Sequence, residues 1–158
     1  MKVFISHKSV DASIAAAIAA RLRSAHDIEC YLDVVDPNLS EKGEDLGEYL
    51  RSEIGKCSQL IAVVSERTKN SWWVPWEIGI ATEKSFPLAS FVGDDTAPPK
   101  FLAKWPLLKS LADVDKYAAA SKAADTDFRV RKAYLAEDTA RVRSTHEFYR
   151  IIRKSLGQ

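Results

Sequence analysis

The sequence predicts an α/β fold in which helices wrap both faces of a central five-stranded parallel sheet. Short apolar segments alternate with helical patterns along the chain, which is typical of consecutive βαβ units. The apolar segment at residues 60–64 is uninterrupted and rich in β-branched residues, as in a central parallel strand covered on both sides. The chain has 158 residues, 46% hydrophobic and 28% charged, which suits one globular domain with its own core.

The five predicted strands are short, apolar and bounded by polar or turn-forming residues. They cover residues 3–5, 30–32, 60–64, 87–92 and, as a weaker strand at an edge, 107–111. The carboxyl ends of parallel strands lie at one edge of a sheet, where ligands gather at the point at which the strand order reverses. We therefore expect the residues that follow the strands to converge there.

Helices are predicted where apolar residues recur at helical spacing. Either Ser9 or Asp11 can cap the first, an alanine-rich helix over residues 12–22. Pro75 fits the first turn of a later helix that carries Glu77. The other predicted helices cover residues 46–54, 116–122 and 138–156.

The chain divides by pattern into a core at residues 1–115 and a helical C-terminal extension at residues 116–158. The extension is charged and contains no Pro, and its last helix is amphipathic. Packing of that helix on the same domain is the favoured interpretation. An interface for oligomers is the alternative.

Composition excludes several classes of function. The formal net charge is +1, from 23 Lys and Arg against 22 Asp and Glu, which gives no electrostatic basis for binding nucleic acid. No apolar run approaches the ~20 residues that span a bilayer, and the first residues do not resemble a signal peptide. The two cysteines, Cys30 and Cys57, fit no metal-ligand spacing and are expected to be reduced. We therefore predict a soluble cytoplasmic protein that binds neither nucleic acid nor membrane.

Missing motifs narrow the chemistry further. Residues 6–11, after the first strand, contain no glycine, which argues against a dinucleotide cradle, and no P-loop is present. His7, His26 and His146 lie far apart, which argues against a zinc site or a catalytic triad. The paired aspartates of a phosphoacceptor domain are also absent. Glu77 remains the best candidate for a catalytic carboxylate.

Three of the four tryptophans fall at residues 72, 73 and 76, directly ahead of Glu77. Trp73 and Glu77 are four residues apart, so on a helix they share one face. An indole beside a carboxylate suits a ligand with an aromatic ring and a cationic or hydroxylated centre. The alternative is that the tryptophans are core residues and Glu77 a surface residue. Trp72 and Trp76 are expected on other helical faces.

Further candidates lie at the ends of the predicted strands. Ser6, His7 and Lys8 follow the first strand; turn formation is the alternative for Ser6, and a loop position for His7. Lys8 carries a positive charge that suits a phosphate. Trp105, in a loop with three prolines, is a candidate for the far wall of the pocket.

The ordered set of these motifs resembles a TIR domain (Toll/interleukin-1 receptor type). It comprises residues 3–8, residues 31–33, a long loop before a helix, the strand at 60–65 and the step from Trp73 to Glu77, and it covers roughly residues 2–112. The resemblance implies a flavodoxin-like sheet, here with an extra C-terminal helix. In many bacterial and plant members it also implies cleavage of NAD+, which is then a substrate and not a cofactor.

The resemblance also implies roles for individual residues. Glu77 aligns with the catalytic glutamate, Trp73 lies beside it, and the loop at residues 36–44, with Asp36 and Leu39, covers the pocket. Many relatives have Tyr and Arg where this chain has His7 and Lys8. Neither a cofactor nor a metal is implied.

Together these features predict an NAD+ nucleosidase or ADP-ribosyl cyclase that depends on a glutamate. It would release nicotinamide and make ADP-ribose or a cyclic isomer as an anti-phage signal for a downstream effector. In this it resembles the TIR subunit of Thoeris defence systems. Its expected partners are NAD+ and other TIR subunits, as a homo-oligomer or filament. The alternatives are a non-catalytic TIR adaptor and an enzyme resembling nucleoside deoxyribosyltransferases.

Overall fold

A single parallel sheet forms the centre of the molecule. The computed structural model describes residues 1–32, 43–66, 73–93 and 98–158. Within them five strands, all paired in parallel, lie in the order β2-β1-β3-β4-β5. The strands are β1 (Lys2–Ser6), β2 (Glu29–Leu32), β3 (Gln59–Val64), β4 (Leu88–Val92) and β5 (Leu107–Leu108). The predicted α/β class and its five-stranded parallel sheet are confirmed.

Five α-helices surround this sheet in the described ranges. They are α1 (Ala12–His26), α2 (Gly43–Gly55), α3 (Trp73–Glu83), α4 (Leu111–Lys132) and α5 (Glu137–Leu156). Short 3₁₀ helices precede α1 at Ser9–Asp11 and β5 at Lys100–Lys104. Asp11 occupies the cap position of α1, as predicted, but its side chain makes no capping hydrogen bond. None of these helices is long and apolar enough to cross a membrane.

The alternation of side chains along the strands produces two separate cores. Val3 and Ile5 of β1 face α1 and α4, and α5 packs beside α4 and contributes Phe148 and Ile152 to the same core. Phe4 of β1 faces the opposite way, into a second core formed with α2 and α3. All six residues of β3 are buried, as expected for a central parallel strand covered on both sides.

The C-terminal region differs from its prediction in the length of α4. The helix predicted near residues 116–122 is the middle of a helix that runs from Leu111 to Lys132. It begins early because the Ser110 hydroxyl accepts a hydrogen bond from the Asp113 amide at 3.2 Å, which caps the helix and ends β5 at Leu108. The predicted division between residues 115 and 116 therefore falls inside α4, whose residue Tyr117 belongs to the core against β1.

The order of the strands reverses at one place in the sheet. The chain runs from β1 outward to β2 on one side and then to β3 on the other, so the order reverses between β1 and β3. In open parallel sheets such a reversal creates a crevice at the carboxyl ends of the strands. Ser6, the last residue of β1, pairs with Ala62 of β3 at this place.

Candidate active site at the carboxyl edge of the sheet

Glu77 lies on the buried face of α3. Val74, Ile78 and Ala81 share this face, because residues spaced by three, four and seven positions line one side of a helix. The helix packs these residues against β3 and β4, and the exposed fraction of Glu77 is 0%. The alternative that Glu77 is a helix-surface residue is therefore wrong.

A row of small residues on the sheet leaves room for this carboxylate. Ser6, Ala62 and Ser90 lie in register across β1, β3 and β4, and Ala62 faces the core that contains α3. Registered residues of parallel strands share a face, so all three side chains point toward α3. The Ser6 hydroxyl donates a short hydrogen bond to Oε2 of Glu77. A donor of this kind stabilises the ionised form of a buried carboxylate.

Ser90 is a residue that the sequence analysis missed. Its hydroxyl is buried and has no hydrogen-bond partner among the described residues. Buried hydroxyls are seldom left in this state. The signal in the sequence is the alternation along β4, which places Ser90 on the same face as Leu88 and Val92.

His7 and Lys8 follow Ser6 at the same edge but have different surroundings. His7 is 1% exposed, and its Nδ1 lies 3.0 Å from the carbonyl oxygen of Ile5. Because a carbonyl oxygen only accepts, Nδ1 carries the proton and Nε2 remains the other position for a ligand or a proton. Lys8 is exposed, and its carbonyl oxygen accepts from the Asp11 amide at 2.8 Å.

The tryptophans of α3 form a stacked pair. The rings of Trp73 and Trp76 are 5.1 Å apart with an angle of 24° between their planes. Both are half-buried and pack on the core that contains Ile78. The prediction that Trp76 lies on a different face from Trp73 is wrong, because a spacing of three residues also brings side chains together on a helix. Trp72 lies outside the described residues.

A second aromatic pair lies beside the row on the sheet. Tyr31 of β2 stacks on Phe4 of β1, with ring centroids 5.4 Å apart. The hydroxyls of Tyr31 and Tyr49 are 3.0 Å apart, which connects β2 to α2. Phe4 and Ser6 are two positions apart on one strand, so this pair forms a side of the region around Ser6.

Three further candidates from the sequence are Asp36, Leu39 and Trp105. Asp36 and Leu39 lie outside the described residues. Trp105 precedes β5 and therefore lies toward the amino edge of the sheet, where it lines a cavity together with Tyr149 of α5. Leu107, two residues after Trp105, pairs with Ser90 of β4, so Trp105 lies closer to the amino edge than the row of Ser6, Ala62 and Ser90.

The described residues include neither a reactive cysteine nor a cluster that could bind a metal ion. Cys30 and Cys57 are buried free thiols, as predicted, and burial raises the pKa of each to about 11. A neutral buried thiol is a poor nucleophile and a poor metal ligand. No group of three or more His, Cys, Asp or Glu side chains in these ranges is arranged to hold a metal ion.

Two comparisons with known proteins bear on this chain. The profile of a protein family described as TIR domain matches residues 3–125, which extends from β1 into α4. A comparison with curated proteins found no match. The matched residues include at least part of every strand of the sheet, and both Ser6 and Glu77.

Proposed function

The chain belongs to the TIR domain family, and on this basis we propose that it cleaves NAD+ at the bond between nicotinamide and ribose. Glu77 is the proposed catalytic residue. TIR domains include both NAD-consuming enzymes and adaptors, so the proposal depends on the site itself. The observation that carries it is a buried carboxylate, held by the Ser6 hydroxyl, at the reversal point of the strand order.

The proposed role of Glu77 follows from the charge that develops during cleavage. The C1′–N bond breaks with its electron pair passing to nicotinamide, which leaves as a neutral base. Positive charge then spreads over C1′ and the ring oxygen of the ribose. A carboxylate held against the sugar stabilises this charge, as in glycoside cleavage.

The product depends on what attacks C1′. Attack by water, with loss of a proton, gives ADP-ribose. Attack by an adenine nitrogen or a ribose hydroxyl of the same molecule, again with loss of a proton, gives a cyclic isomer. Exclusion of water from the site favours the second outcome.

Neighbouring residues have proposed roles in binding NAD+. Trp73 offers an indole near Glu77, and stacking of a base on an aromatic ring contributes ~1–3 kcal/mol. Lys8 is exposed at the same edge, where its ammonium group can meet a phosphate. The side chain of Glu77 is covered in this structure, so binding of the ribose requires a movement of the groups that cover it. Asp36 and Leu39 remain predictions for the pocket loop.

We also propose that the product is a diffusible signal. ADP-ribose and its cyclic isomers are soluble nucleotides that a separate effector protein can bind. In this proposal TIR subunits assemble to switch the reaction on, in the manner expected for anti-phage defence. Specific activity should then rise with protein concentration or on induced assembly.

The direct test is release of nicotinamide from NAD+, measured by chromatography for the wild type and for Glu77→Gln. Removal of the charge should lower the rate about a hundredfold or more, because loss of one such electrostatic contact costs ~3 kcal/mol of barrier. Glu83→Gln, at the exposed end of the same helix, is the matched control and should leave the rate unchanged.

Two results would contradict the proposal. Full activity in a folded Glu77→Gln protein would exclude this carboxylate from the reaction. Absence of turnover in the wild type at every protein concentration, including in assembled protein, would favour the non-catalytic adaptor.

A further inference from the structure

A cavity of about 330 Å³ lies at the edge of the sheet opposite to Glu77. Its walls come from the end of α3, the turn before β4, the residues before β5 and one side of α5. Because residues that precede parallel strands lie at the amino edge, this cavity is separate from the Ser6–Glu77 pair. Its size is within the range of about 300–1,000 Å³ that small-molecule sites occupy.

Among the described residues, the cavity is lined by basic side chains and by no carboxylate. Lys104, His146 and Arg153 contribute to its wall. Within the part of the chain that the structure describes, none of the three forms an ion pair, whereas the neighbouring Arg150 pairs with Glu147. The Arg153 guanidinium is held in place, because its Nη2 donates to the carbonyl oxygen of Lys104 at 2.6 Å. A fixed guanidinium is well suited to a phosphate group.

Aromatic side chains form another part of the wall. Trp105 and Tyr149 both line the cavity, and the Leu88 amide donates to the Tyr149 hydroxyl at 3.3 Å. Burial raises the pKa of Tyr149 to about 12, so this ring stays neutral. Lys104 Nζ lies 5.7 Å from the centre of the Trp105 ring. Held rings of this kind offer a surface for a flat apolar group.

Hydroxyl groups complete the polar part of the lining. The Thr82 hydroxyl donates to the carbonyl oxygen of Ile78 at 2.7 Å. The Thr145 hydroxyl donates to the carbonyl oxygen of Ser85, also at 2.7 Å. Each hydroxyl oxygen keeps lone pairs for a donor on a ligand. These contacts fix the orientation of both groups before a ligand binds.

We propose that this cavity is a second binding site that takes a mononucleotide, with the phosphate beside Arg153 and Lys104 and the base against Trp105 and Tyr149. Cations without acidic partners select an anion, and the aromatic wall selects a flat ring on the same molecule. The two features together distinguish a mononucleotide from an inorganic anion and from an uncharged nucleoside. The inference is independent of the proposed reaction at Glu77.

The test is calorimetric titration of the protein with AMP, and with inorganic phosphate and adenosine as separate probes. AMP should bind more tightly than either part alone. Lys104→Gln should weaken AMP binding about tenfold, as expected for loss of a charged hydrogen bond. Lys154→Gln on the exposed side of α5 is the matched control and should have no effect.

A steric variant tests the location without changing charge. Val142 lines the cavity and is 42% exposed, so Val142→Trp should fill the space and abolish AMP binding with the fold intact. Val130→Trp, at a position 58% exposed on α4 and outside the cavity lining, should leave binding unchanged.

Three outcomes would overturn the inference. The first is no AMP binding at millimolar concentration, and the second is binding that neither Lys104→Gln nor Val142→Trp reduces. The third is binding lost in Glu77→Gln but kept in Val142→Trp, which would assign AMP to the carboxyl edge. Retention of AMP binding in Glu77→Gln together with its loss in Val142→Trp would support the second site even if the protein did not cleave NAD+.

Discussion

The hydrogen bond from Ser6 to Glu77 joins residues that are 71 positions apart in the sequence. Both residues are fully buried, and a buried carboxylate is costly unless a donor compensates for its lost hydration. The Ser6 hydroxyl is such a donor. Ser6 was predicted to contact substrate, and the structure gives its hydroxyl Glu77 as an immediate partner.

Replacement of Ser6 by alanine should therefore affect both stability and the proposed reaction. The lost hydrogen bond to a charged group is worth about 1.5–3 kcal/mol, and the free energy of unfolding should fall by that order. Nicotinamide release should fall about tenfold or more, because Glu77 loses the group that orients it. Urea unfolding and chromatography measure the two effects.

Ser9→Ala is the matched control for this variant. Ser9 is an exposed residue of the 3₁₀ helix that follows the site. Its replacement should leave both quantities unchanged. Equal losses in Ser6→Ala and Ser9→Ala, or no loss in either, would contradict the positioning role of Ser6.

Helix α3 has an apolar face and, on its exposed side, a glycine. Gly79 lies two residues after Glu77, and a Cβ built there would meet no atom within 4 Å. Gly157 differs, because it caps α5 with a φ of +73°, in the left-handed region that other residues rarely adopt. Replacement by alanine should therefore change the free energy of unfolding in opposite directions at the two glycines.

Gly79→Ala should raise the free energy of unfolding by about 0.5–1 kcal/mol, since alanine loses less backbone entropy within a helix. Gly157→Ala should lower it, because the cap would become strained. Urea unfolding of both variants checks the signs. A loss of stability in Gly79→Ala would contradict the exposed and uncrowded position of Gly79.

The first residues of α4 show that the sequence contained a recognisable helix cap. Ser110 and Asp113 stand at the spacing of a helix cap, and the structure has that hydrogen bond. The apolar residues at 107–111 also fit the predicted strand, which in the structure ends at Leu108. A short apolar run does not distinguish the two.

The Asp115 carboxylate connects α1 to α4. Asp115 accepts two hydrogen bonds from the Arg21 guanidinium, each at 2.8 Å, and its Oδ1 lies 2.7 Å from His26 Nε2. The Arg21 contact, followed by that of His26, holds the pKa of Asp115 well below its usual value. This cluster lies over the face of the sheet that α1 and α4 cover together.

A lowered pKa in the folded state stabilises the protein above the usual value of the carboxyl group. This contribution should be complete at neutral pH and be lost as the pH falls below about 4 toward the folded-state pKa. Asp115→Asn should therefore be less stable than the wild type at neutral pH. The difference should shrink in acid.

Urea unfolding at a series of pH values measures this effect. Asp125→Asn is the control, because Asp125 pairs with Arg129, which lies four residues further along the same helix. A stability difference for Asp115→Asn that does not change with pH would contradict the assignment of the effect to the charge of Asp115.

From the amino-acid sequence alone we could predict the fold class, the resemblance to the TIR family and the helix that carries Glu77. These features follow from local periodicity and from motifs in a fixed order, which do not depend on distant contacts. The family match confirms the resemblance inferred from residues 3–8 and from the step between Trp73 and Glu77. The anti-phage subtype remains a prediction.

Which of the candidate residues meet becomes visible in the three-dimensional arrangement of the strands. The order of the strands and their register place Ser6 opposite Ala62 and Ser90, and this row admits Glu77 from α3. The same order sends Trp105 to the other edge, beside Tyr149. The alternation of a strand determines which face a side chain occupies. Which strand lies beside which depends instead on contacts between segments far apart in the chain.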